Sequence, residues 1–112
     1  MKTVNHQNNR IMKKIVVLIP KAYEEIVSGI FSTLKVPVFS KMDIEGYKNG
    51  RHEVDVSNWF ARGNDYDFSV MFFAFVTEDI AHQTMDAISS WNKENQTKNP
   101  MHAYMVSVER SV

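Results

Sequence analysis

The chain contains no cysteine. It therefore has no disulfide framework, no thiol nucleophile and no thiolate metal site, a composition suited to a reducing cytoplasm. It also lacks a surplus of either charge: Lys plus Arg and Asp plus Glu are both 13. A neutral chain gives no electrostatic reason to expect non-specific binding to nucleic acid or to an anionic membrane. Long apolar runs are missing as well. The stretch IVVLIP near the N-terminus is too short for a membrane span or a signal-peptide core, and KAYEE follows it at once.

What remains is the composition of one globular domain. At 112 residues, 44% hydrophobic and 23% charged, the chain has enough apolar material for one core and too little for two. Residues 1–11, MKTVNHQNNRI, are polar and aperiodic and read as a disordered extension, with the domain at 12–112. KKIVVLI is a β-branched run suited to a strand buried on both faces. Ala22, Ile26, Ile30 and Leu34 then recur every four residues, flanked by Tyr23, Val27 and Phe31, which predicts a helix with a wide apolar stripe. Pro20, Glu24 and Glu25 suit its opening turns and Pro37 its end.

VFSKMDI predicts a second strand with one apolar face. YDFSVMFFAFV predicts a third that is apolar on both. Thr77 is placed to cap a second helix opened by Glu78 and Asp79, with Ile80, Thr84, Ala87, Ile88 and Trp91 on one face. NKENQTKNP reads as the polar loop that ends it, and HAYMVSV as the last strand. Met42, Met71, Met85 and Met105 are expected to fill the core.

The order β-α-β-β-α-β predicts an α+β, ferredoxin-like sandwich: a four-stranded antiparallel sheet with two helices on one face. Right-handed crossovers put the first and third strands in the middle and the second and fourth at the edges. Both central strands are apolar on both faces, yet two helices cover only one. The other face calls for a cover that the chain does not supply, most simply another copy of itself.

The stretch DIEGYKNGRHEVDVSNWFARGND, residues 43–65, separates the second strand from the third. A hairpin needs two to five residues there, so an excess of some twenty reads as a functional loop. Tyr47, Trp59 and Phe60 offer aromatic anchors for a partner protein, and Lys48, Arg51, His52 and Arg62 offer orienting charge.

In order along the chain, KKIVVLIPKAYEEIVSGI, IEGYKNGRHEV and the closing AYMVSVERSV resemble the PII-like signalling proteins, the superfamily of the nitrogen regulatory protein PII. The resemblance implies a non-catalytic cytoplasmic homotrimer. It also implies an adenine nucleotide bound between subunits and a long T-loop inserted into a target such as a membrane transporter or an enzyme. By position it makes Lys41, Lys98 and Arg110 ligand contacts. The chain departs from the family at three places. Asp55 and Val56 stand near the position of the tyrosine that is uridylylated in nitrogen regulators. Thr97, Lys98, Asn99 and Pro100 replace the glycine-rich loop that cradles phosphate, and the sequence ends at Val112, before the arginines that follow the closing motif.

Three other readings bear on the same residues. A metal-responsive PII-like protein linked to transport or efflux would use His52 or His102 in a site shared between subunits, although the four histidines have no ligand spacing. A small dimeric ferredoxin-like oxygenase has the same element order, but no convergent catalytic set is evident. An RNA-binding module would present Phe72, Phe73 and Phe75, without the basic and glycine positions of that motif.

Overall fold

The computed structural model describes residues 11–46 and 69–112. They form strand β1 (Met12–Pro20), a 3-10 turn (Lys21–Tyr23), helix α1 (Glu24–Thr33), strand β2 (Ser40–Ile44), strand β3 (Ser69–Thr77), helix α2 (Glu78–Asn95) and strand β4 (His102–Ser107). The sheet order is β2-β3-β1-β4, with every pair antiparallel, so the doubly apolar strands are the central ones as expected.

Alternation divides the sheet into two faces. Ile15, Val17 and Ile19 of β1 and Val70, Phe72, Ala74 and Val76 of β3 are buried against the helices. Val27 and Phe31 of α1, Ala81 and Ile88 of α2, and Val36 and Met101 complete this core. Phe31 meets Phe39 and Phe72 edge-on, with ring centroids 5.0 and 5.6 Å apart.

The buried row of α1 is Val27 and Phe31, with Tyr23, Ile26 and Ile30 only partly buried beside it and Ala22 exposed. The expected stripe is thus rotated by one residue. The helix is entered through a 3-10 turn, which advances three residues per turn instead of 3.6 and resets the phase. Its end is set before Pro37 is reached. Lys35 takes a left-handed conformation at φ 61°, its amide donates to the Ser32 carbonyl at 3.1 Å, and the Val36 amide donates to the Phe31 carbonyl at 2.9 Å. This is a Schellman motif closed by the contact of two buried residues, Val36 and Phe31.

Three further expectations are corrected. Thr77 occupies the N-cap of α2, but its side chain makes no capping bond. Helix α2 runs through Asn95 instead of breaking at Asn92, with Gln96 in the left-handed conformation as its stop. Met42 and Met71 lie outside the core, on the face of the sheet away from the helices, with Met42 exposed; among the described residues Met101 is the methionine that is buried.

Candidate functional site

The antiparallel register gathers three connections at one end of the sheet. Pro20 of β1 pairs with Ser69 of β3, which pairs with Ile44 of β2, and Leu18 pairs with His102, which opens β4. The turn into α1, both ends of the β2–β3 connection and the α2–β4 connection therefore emerge together. Asp43 and Ile44, the first two residues of the 43–65 loop as read from the sequence, belong to strand β2. Tyr47, Lys48, Arg51, His52, Trp59, Phe60 and Arg62 lie outside the described residues.

At the root of that connection stands a chain of alternating charges. The Lys21 ammonium lies 3.2 Å from a carboxylate oxygen of Asp43 and 3.8 Å from Glu24, and Lys41 lies 2.7 Å from the other Glu24 oxygen. Charges of alternating sign tie the start of α1 to edge strand β2. The hydrogen bond to Glu24 raises the Lys41 pKa. Sequence position made Lys41 a ligand contact; Glu24, seventeen residues away, carries no signal of the pairing.

The other two ligand candidates lie apart from it. Lys41 is on edge strand β2, in register with Phe72, Val17 and Ala103 across the sheet. Two strands separate it from edge strand β4, about 14 Å at the usual spacing. Lys98 precedes β4 at the loop end of the sheet, and Arg110 follows β4 at the opposite end. A single copy does not bring the three together.

The α2–β4 connection is tied to the body at both ends. Asn92 Nδ2 donates to the Met101 carbonyl at 2.9 Å, and the Met101 amide donates back to Asn92 Oδ1 at 3.0 Å. Within the connection the Asn99 amide donates to Thr97 Oγ1 at 3.1 Å, and at its start the Gln96 amide donates to the Asn92 carbonyl at 2.9 Å. No sequence pattern singles out Asn92, which reads there as one more polar loop residue.

The face opposite the helices carries rows of mostly apolar side chains. Met42, Met71, Leu18 and His102 align in one, and Phe73, Val16 and Tyr104 in the next. Phe75, Lys14 and Val106 form a third, with Phe75 52% and Val106 48% exposed. Among the described residues no helix or strand lies on this face. It carries a cation in Lys14, whose Nζ sits 5.1 Å from the Phe73 ring centroid and 5.8 Å from that of Phe75, within cation–π range. The period-2 pattern of β1 was the available signal for Lys14, since it shares a face with Val16 and Leu18.

Two of the four histidines fall among the described residues. His82 is exposed on α2, 3.8 Å from Glu78 one turn earlier. His102 is partly buried, and desolvation lowers its pKa. Among the described residues no group of three His, Asp or Glu side chains comes together to hold a metal. No helix among them is long and apolar enough to cross a membrane.

No protein-family model and no curated protein sequence matches the chain. Solved structures do. A PII-like signalling protein from Thermus thermophilus is 13% identical, over 87% of this chain and 86% of that one, with a TM-score of 0.61. A DUF3240 family protein from Shewanella baltica is 13% identical, over 91% and 94%, with a TM-score of 0.63. CPII from Thiomonas intermedia K12, in complex with ADP, AMP and acetate, is 14% identical, over 90% and 89%, with a TM-score of 0.66. The chain carries the PII-like fold.

Proposed function

We propose that this chain is a non-catalytic regulatory protein of the PII-like kind. It works as an oligomer, most simply a trimer, whose copies cover one another's open sheet faces. It senses a small ligand, an adenine nucleotide, between subunits, and it meets its target protein through residues 45–68. The observation that carries the reading is the apolar face built by Val16, Leu18, Met71, Phe73, Phe75, Tyr104 and Val106, over which no helix or strand lies among the described residues and on which Met42, Phe75, Tyr104 and Val106 are exposed.

Two further observations support it. Lys41 and Lys98 lie at opposite edges of one sheet, so a cleft lined by both needs an edge of one copy against the opposite edge of the next; Arg110 joins such a cleft only from a neighbouring copy. A structure of the same fold, CPII, holds ADP and AMP. In the long connection Trp59 and Phe60, with Tyr47, would bury against the target while Lys48, Arg51, His52 and Arg62 orient it.

Ligand-linked stability tests the reading. A nucleotide bound between copies stabilises the assembled protein by mass action. Millimolar AMP should raise the melting temperature of the wild type and leave that of a dissociated Phe73→Glu variant unchanged. An equal rise in both would place the ligand within one chain and sink the inter-subunit reading.

A further inference from the structure

We infer that the α2–β4 connection, residues 96–101, accepts a ligand bearing a single phosphate or none and rejects a polyphosphate. The inference rests on the ligand reading above and narrows its chemistry. Polyphosphate is held where several consecutive backbone amides converge on the same oxygens. Here three of the six residues already commit their amides internally: Gln96 to the Asn92 carbonyl, Asn99 to Thr97 Oγ1 and Met101 to Asn92 Oδ1. Pro100 has no amide hydrogen. At most two amides, those of Thr97 and Lys98, remain to turn toward a ligand.

The connection also resists rebuilding. Releasing the Met101 amide breaks one of the two bonds that Asn92 makes to that residue, and Met101 is 2% exposed, so moving it opens the core. Side-chain charge does not replace the missing amides. Within one copy, Lys41 is already paired with Glu24 at 2.7 Å and Arg110 lies at the other end of the sheet. Lys98 is exposed in the connection itself, and its compact ammonium suits one phosphate as a point charge without the forked geometry that spans several.

Calorimetric titration of the full chain with ATP, ADP, AMP and adenosine tests the inference. AMP should bind at least about tenfold more tightly than ATP, a difference of about 1.4 kcal/mol. Lys98→Ala, a surface change, should weaken AMP and leave adenosine unaffected. ATP binding as tight as AMP, or AMP binding indifferent to Lys98, overturns the inference while the nucleotide reading stands. Silence toward all four compounds overturns both.

Discussion

Asn92 on helix α2 and Met101 before strand β4 are joined by two hydrogen bonds, the side-chain amide of one donating to and accepting from the backbone of the other at 2.9 and 3.0 Å. The pair closes the connection between the last helix and the last strand as a backbone pair would close a hairpin. Asn92→Ala leaves a buried residue's amide and carbonyl without those partners, which costs about 1–3 kcal/mol. Asn92→Asp keeps an acceptor for the amide but sets a carboxylate against the Met101 carbonyl, so it should not rescue. Urea denaturation of the two variants checks this; wild-type stability in Asn92→Asp would contradict the geometry.

Lys35 ends helix α1 in a left-handed conformation that an L side chain adopts at a cost of roughly 1–2 kcal/mol. Glycine bears no such steric cost and loses part of the gain to backbone entropy. Lys35→Gly should therefore stabilise the protein by about 0.5–1 kcal/mol, whereas Lys35→Val should destabilise it. Denaturant midpoints at constant slope provide the measurement.

Phe31 of α1 and Phe75 of β3 lie on opposite sides of the sheet. Phe31 is fully buried between Phe39 and Phe72, and its replacement by alanine should cost about 3–5 kcal/mol. Phe75 is half exposed on the open face, and alanine there should cost a single copy much less. Comparing the two variants in a background dissociated by Phe73→Glu isolates the fold from the assembly.

His102 links stability to pH. Burial depresses its folded pKa below the ordinary value of 6.5, so the unfolded chain binds the proton more readily. Its contribution is fully present above 6.5 and is lost as pH falls through that value toward the folded pKa. His102→Gln should flatten the stability profile over that window; an unchanged slope would assign it to other groups.

Strand order and face assignment were legible because the doubly apolar runs of β1 and β3 admit only the central positions. The phase of α1 was not, since two adjacent rows are both apolar and the 3-10 turn that chooses between them leaves no mark in periodicity. Nor were Asn92–Met101 or Lys41–Glu24 legible, because the first joins a side chain to a backbone nine residues on and the second joins side chains seventeen residues apart, and single-sequence patterns report only near neighbours along the chain. The open face was legible in outline, but Lys14 on its aromatic pair became specific only once the register set it opposite Phe75.

The most direct measurement is the solution mass of the intact chain by light scattering at micromolar concentration, with Phe73→Glu alongside. Burial of the open face between copies predicts an oligomer, a multiple of the 13.0 kDa of one chain and three times it for the trimer that the resemblance implies, that the charged variant dissociates. A monomeric wild type, or an oligomer that Phe73→Glu leaves intact, would contradict it.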